Sequence, residues 1–134
     1  MKQQNKGRAG NKKLTKAQRA YVARYGLLQV WIERTIVRAV TLKADEILYE
    51  RGKNGLTVEF RRRGDLLEAQ GPYKRYQDRV IPRLDLMGRQ GLPKRCKGET
   101  GRFLTAFGGR EWNCPLFHTQ TKSGERVAVR FRNR

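Results

Sequence analysis

The chain has 134 residues, of which 31 are Lys or Arg and 12 are Asp or Glu, for a formal net charge of +19 at pH 7. That length allows one domain, and an apolar content of 37% allows one modest core, which excludes a thick two-layer enzyme built around a deep pocket. Two cysteines, Cys96 and Cys114, do not make a secreted disulfide framework, and no apolar run reaches the length of a signal peptide or a membrane span.

Self-repulsion of this size opposes compaction unless a polyanion neutralises it. A phosphate backbone is the expected neutraliser, because each contact releases a condensed counterion. An acidic lipid surface ranks lower, since no segment joins a clean apolar face to a basic one. Arginine outnumbers lysine, 20 to 11, and a guanidinium grips phosphate in a bidentate fork. The expected location is cytoplasmic, with the protein associated with the nucleoid or a ribonucleoprotein.

Residues 1–13 carry Lys2, Lys6, Arg8, Lys12 and Lys13, no acid, and Gly7 and Gly10. This composition predicts a flexible basic arm that lies along a groove or across phosphates. Leu14 to Gly52 lies within the longest run without proline, residues 1–71, and carries dense apolar content. Thr15 and Gln18 have the spacing of a capping box, with Leu14 as the staple residue. Tyr21, Tyr25, Leu28, Ile32, Ile36, Val40 and Ile47 recur at three- and four-residue steps, with one gap at Lys43, which predicts a helical face. Leu27, Val30, Trp31 and Val37 widen it. So wide a stripe needs cover on most sides, either from the rest of the chain or from a second copy in a homodimer.

Gly26 sits inside this stretch at a cost of ~1 kcal/mol against alanine. It leaves either one long helix or a short helix over 16–25 followed by a longer one. Gly52, with Asn54-Gly55 just beyond, marks the stop. Lys16, Arg19 and Arg24 lie near the start of the stretch, where cations oppose the helix dipole, and this predicts that a ligand holds them there.

After Gly55, Leu56, Val58 and Phe60 alternate with Thr57, Glu59 and Arg61, the pattern of a half-buried strand. It runs into Arg61-Arg62-Arg63, whose side chains must project to both faces and are candidate phosphate contacts. Residues 65–70 read as a helical turn or a second strand. Beyond Gly71-Pro72, the run Tyr73-Lys74-Arg75-Tyr76 interleaves rings with cations. That order suits base stacking by Tyr73 and Tyr76 beside phosphate contacts from Lys74 and Arg75. Residues 88–101 form a glycine-rich loop with Arg89, Lys94, Arg95 and Lys97, again read as nucleic-acid-contacting. No G-x-x-x-x-G-K-[ST] pattern accompanies it.

The last third reads as strands over 103–107, 112–121 and 126–132. In the final strand Val127, Val129 and Phe131 face one way, and Ala128, Arg130 and Arg132 the other, giving a basic ribbon.

The single histidine, His118, excludes a His–His pair within one chain. Cys96, Cys114 and His118 provide three zinc ligands where a structural site has four. Among the scattered acids, Glu59, Asp65, Glu68, Asp78 and Asp85 are the only group that a metal-dependent nuclease could use.

The sequence is therefore read as an α+β protein with a long N-terminal helix, continuous or broken near Gly26, packed on a small antiparallel sheet and preceded by the arm. The expected function is non-catalytic and cofactor-free nucleic-acid binding, as a DNA-binding regulator or accessory factor. An RNA-binding or ribonucleoprotein component and a small metal-dependent nuclease are the alternatives.

Overall fold

The computed structural model describes residues 15–89, 93 and 97–133. The chain divides into two compact units, Met1–Val30 and Trp31–Arg134. In the first, α1 (Lys16–Tyr25) is followed by the opening turn of α2 (Leu27–Leu42). Gly26 separates them with φ 87°, a region that glycine enters without the penalty of a Cβ. Its N–H closes α1 on the Val22 carbonyl at 2.8 Å, and its own carbonyl receives the Val30 N–H at 3.2 Å. The basic arm expected over 1–13 lies outside the described residues.

The helix expected from Leu14 to Gly52 is corrected at its far end. α2 stops at Leu42. Lys43 takes φ 59°; its N–H reaches the Val40 carbonyl at 3.1 Å, and the Ala44 N–H reaches Ala39 at 2.9 Å. Those two bonds are a Schellman ending, with lysine where glycine is usual. The chain then enters β1 (Glu46–Gly52), in which Ile47 and Tyr49 are buried and Glu46, Leu48 and Glu50 are half-buried. Ile47 belongs to a period of two, although it also falls one step beyond the helical stripe.

The second unit is built on an antiparallel sheet rather than on a helix. Its other strands are β2 (Gly55–Arg62), β3 (Asp65–Tyr73), β4 (Gly101–Phe107), β5 (Arg110–Thr121), β6 (Gly124–Arg130) and the two-residue β7 (Arg132–Asn133). The order is β3-β2-β1-β6-β5-β4, with β7 also beside β5. The expected architecture, a long helix carrying a small sheet, does not hold. The sheet is the body, and the helices are short additions of 10, 16 and 8 residues, the last being α3 (Val80–Met87). No helix among the described residues is long and apolar enough to cross a membrane.

Local chemistry explains the hairpins. Arg63 and Gly64 (φ 51° and 84°) join β2 to β3, and Gly108 and Gly109 (61° and 75°) join β4 to β5. Two positive φ values in a two-residue loop match the twist of the flanking strands. The central pairing is non-local: Ile47 faces Val129 and Tyr49 faces Val127 across β1 and β6.

One face of the sheet carries Ile47, Tyr49, Val58, Phe60, Phe103, Leu116, Val127 and Val129, each at most 1% exposed. Ile32, Ile36 and Ala39 of α2, with Val80, Ile81 and Leu84 of α3, are buried against it. Each Val, Leu, Ile or Phe among them contributes about 1.5–3 kcal/mol on full burial. A polar bond pins α2 to β1. The Thr35 hydroxyl donates to the Ile32 carbonyl at 2.5 Å and lies 2.5 Å from the Tyr49 hydroxyl, which donates to it. Burial pushes the Tyr49 phenol well above its ordinary range.

α3 meets β4 through two glycines. A Cβ built on Gly101 would lie 3.0 Å from the Gly88 Cα, and the Arg102 N–H donates to the Gly88 carbonyl at 2.9 Å. Beside this contact Arg102 forms a buried bidentate pair with Glu99, both bonds 2.7 Å.

Candidate functional site

The two ends of the sheet hold different chemistry. At one end β1 begins, β2 ends and β6 runs into β7. Register sets Glu46 opposite both Arg61 and Arg130. Arg130 donates from Nε to Glu46 at 3.0 Å, and its guanidinium lies 4.5 Å from the centre of the Phe117 ring. Arg61 forms its pair with Glu59 at 2.7 Å and donates to the Gly64 carbonyl at 2.9 Å. The Arg63 N–H donates to the Asp45 carboxylate at 3.0 Å. Asp45, Glu46, Gly64, Arg130, Phe131 and Arg132 line an open cleft of ≈ 440 Å³. Arginines expected to contact phosphate, Arg61–Arg63 with Arg130 and Arg132, thus meet here, but around three carboxylates, Asp45, Glu46 and Glu59. Arg62, Arg63 and Arg132 remain exposed.

At the other end β3 finishes at Tyr73, and a turn over residues 75–79 leads into α3. No element was legible in residues 80–87. Pro82 stands in the first turn of α3, where a missing N–H costs nothing. Tyr73 and Tyr76 do come together, on Trp31 of α2. The Trp31 and Tyr73 rings meet edge to face with centroids 5.5 Å apart, and Tyr76 lies 6.3 Å from Trp31. The guanidinium carbons of Arg75 and Arg79 sit 5.0 and 5.9 Å from the Tyr76 ring centre. Trp31 and Arg79 were not among the expected site residues. Periodicity had placed Trp31 in the apolar stripe, and only the fold brings it to the 73–79 segment.

Tyr76 takes φ 65°, a strained conformation for a bulky side chain. Its carbonyl receives the N–H groups of Arg79 at 2.8 Å and Val80 at 3.1 Å, so the strain is tied to the start of α3. Asp78, the acid of this turn, is taken by Arg51 at 2.6 Å. Lys74, Arg75 and Arg79 are exposed and form no ion pair among the described residues.

Between the two ends a polar chain ties β3 to α2. The Tyr73 hydroxyl donates to Gln70 Oε1 at 3.0 Å, Gln70 Nε2 donates to Glu68 at 2.8 Å, and Arg38 grips Glu68 with bonds of 3.1 and 2.5 Å. The Arg38 and Gln70 hydrogen bonds hold the Glu68 carboxyl below its ordinary value. Burial, and then the Glu68 charge, raise the Tyr73 phenol.

The remaining expected site residues do not join either group. Lys16, Arg19 and Arg24 lie on α1 in the first unit. Arg89 pairs with Arg102 in an isolated bridge, and Lys97 is exposed. Lys12, Lys13, Lys94, Arg95 and Cys96 lie outside the described residues. Of the zinc candidates that are described, Cys114 is buried and its thiol is pushed up to about 12 by that burial. The His118 ring is occupied at both nitrogens, Nδ1 facing Asp85 and Nε2 facing Glu125, each at 2.9 Å. Among the described residues no three His, Cys, Asp or Glu side chains are grouped to hold a metal ion. Glu59, Asp65, Glu68, Asp78 and Asp85 are spread over β2, β3, the turn and α3.

No family model matches the chain. It is similar to the type II secretion system protein E of Xanthomonas campestris pv. campestris, 28% identical over 103 residues. The match takes in 77% of this chain and 18% of that protein, so the chain spans about a fifth of the relative's length. This corrects the function expected from charge. Neither the reading as a DNA-binding regulator, nor its RNA-binding and nuclease alternatives, nor any tie to transcription regulation stands, because the likeness lies with a secretion system protein.

Proposed function

We propose that the chain is a secretion-related domain, doing the work of the matching segment of a type II secretion system protein E within a larger assembly. The similarity over 103 residues carries this reading. A role in holding partners is in keeping with two of its clefts, which are open and hold ion pairs, Glu46 with Arg130 in one and Asp85 with His118 in the other. In this proposal neither a cofactor nor a catalytic residue is assigned. The excess of cations serves acidic surfaces of other proteins, which like-charged patches would repel and which opposite charge steers into contact.

The test is genetic. The gene is disrupted in the organism that carries it, and the proteins released to the medium are compared before and after, then again with the intact gene restored. A subset of released proteins should fall and should return on restoration. An unchanged profile would sink the secretion reading.

A further inference from the structure

In the turn over residues 75–79 two arginines lie beside one ring and have no counterion among the described residues. We infer that Trp31, Tyr73 and Tyr76, with Lys74, Arg75 and Arg79, form a docking surface for an acidic segment of a partner protein. That the partner belongs to a secretion assembly rests on the reading above; the acidic chemistry stands on the geometry alone.

Four observations converge on this surface. Two guanidiniums lie 5.0 and 5.9 Å from the Tyr76 ring centre. A guanidinium held against a ring keeps its N–H edge outward and pre-set for a carboxylate fork, at a smaller entropic cost than a free side chain. The carboxylate of this turn, Asp78, is already engaged by Arg51 at 2.6 Å, so Lys74, Arg75 and Arg79 have no acid of their own among the described residues. Trp31, Tyr73 and Tyr76 are each half-buried, so their open halves form an apolar floor beside the cations. Trp, Tyr and Arg are the residue types that dominate binding energy at protein interfaces. Finally, Tyr76 is held at φ 65°, and strain of this kind persists where surrounding structure fixes it and gathers at binding sites.

The partner segment that fits presents two carboxylates spaced for Arg75 and Arg79, and an apolar side chain for Trp31 and Tyr73. Charge favours such a partner, because the chain carries +19. Charge alone would act anywhere on the surface, so the experiment must separate place from amount.

The probe is a short fluorescein-labelled peptide of Glu, Asp and Leu, followed by anisotropy with the full chain. Emission of Trp31 in a Trp112→Phe background provides a local signal. Arg75→Ala combined with Arg79→Ala should weaken binding roughly tenfold or more, since two desolvated charge pairs are lost. Arg62→Ala combined with Arg132→Ala removes equal charge at the other end of the sheet, and should change affinity by less than about twofold, as rim charges do. Arg75→Lys with Arg79→Lys keeps charge and loses the fork; it should fall between the two, and serves if the alanine variant does not fold.

Equal losses in the two alanine variants would overturn the surface, as would no binding of the peptide. So would tighter binding of a single-stranded oligonucleotide of equal charge through the same two arginines. Peptide binding lost in the Arg75/Arg79 variant while gene disruption leaves released proteins unchanged would sink only the secretion reading. Unchanged binding in that variant, with secretion impaired on disruption, would sink only the docking surface.

Discussion

The two ends of the sheet are both rich in arginine, yet they differ in what the arginines do. At the Glu46 end Arg130 stands on a strand, where register sets Glu46 opposite it, and Arg126, farther along β6, meets Glu50 in the same way; Arg61 takes Glu59 on its own strand. At the Tyr73 end Arg75 and Arg79 stand on a turn, where no ladder supplies an acid, and the Tyr76 ring is their neighbour. Paired opposite charges on a sheet face stabilise it by roughly 0.2–1 kcal/mol each, so they serve the fold. Unpaired cations beside half-exposed rings contribute little to the fold and are left for a partner. The number of arginines therefore says less than whether the backbone under each one carries an acid into reach.

The largest expected effect separates the ends by stability. Trp31→Ala removes the ring on which Tyr73 and Tyr76 rest and should cost about 2–3 kcal/mol, less than the ~3–5 kcal/mol of a fully buried ring because Trp31 keeps some exposure. Arg130→Ala, at the other end, should cost under about 1 kcal/mol, since its side chain is 46% exposed. Urea unfolding of both variants measures the contrast; equal losses would mean that the aromatic cluster is not packed as described. A gain is expected next. Arg63 occupies a positive-φ position of a two-residue hairpin loop whose second residue is Gly64. Arg63→Asn supplies the residue pair that such a loop favours and should raise stability by about 0.5–1 kcal/mol. Its thermal midpoint should rise, and a fall would show that the Arg63 side chain supports the paired end.

How much of this was legible in the sequence differs residue by residue. The alternation at Leu56, Val58 and Phe60, and at Val127, Val129 and Phe131, gave strands and faces, because a period of two has one structural meaning over that length. The end of α2 was not legible. Its terminator is Lys43 in a conformation normally taken by glycine, and Ile47 continues the helical count by coincidence while belonging to β1. The dominance of the sheet was hidden for the same reason, since β1 is one of the two strands at its centre. The interleaving of Tyr73 and Tyr76 with cations was visible, but the ring beneath them, Trp31, lies more than forty residues earlier and is placed by tertiary packing alone. Charge was fully visible and was misread as a nucleic-acid signature; the sequence shows Glu59 near Arg61, but not that Glu46 sits beside Arg130 or Glu50 beside Arg126.

Smaller effects sharpen the comparison. Glu46→Gln takes away the carboxylate that Arg130 holds, which should cost about 0.5–1 kcal/mol and leave Arg130 without its acid while Arg61 keeps Glu59. The acidic peptide should then acquire a second, weaker site that a further Arg130→Ala removes. Binding that stays confined to the Tyr76 end would show that an unpaired Arg130, even beside the Phe117 ring, does not replace the Trp31, Tyr73 and Tyr76 cluster.

The smallest effect is a pH dependence midway between the ends. Glu68 has its folded-state value lowered, first by the Arg38 hydrogen bonds and then by Gln70. A lowered carboxyl contributes stability that is present above its unfolded value, near ~4.3, and lost as pH falls through the lower folded value. Glu68→Gln should therefore be less stable than the parent chain at neutral pH by a small margin, since the pair is largely solvent-screened. That margin should shrink toward zero by roughly pH 3. Urea midpoints of the two proteins across that range give the curve directly. A margin that stays constant in acid would mean that Glu68 acts through packing rather than through its charge, and that α2 is held to β3 by Trp31 and Tyr73 instead.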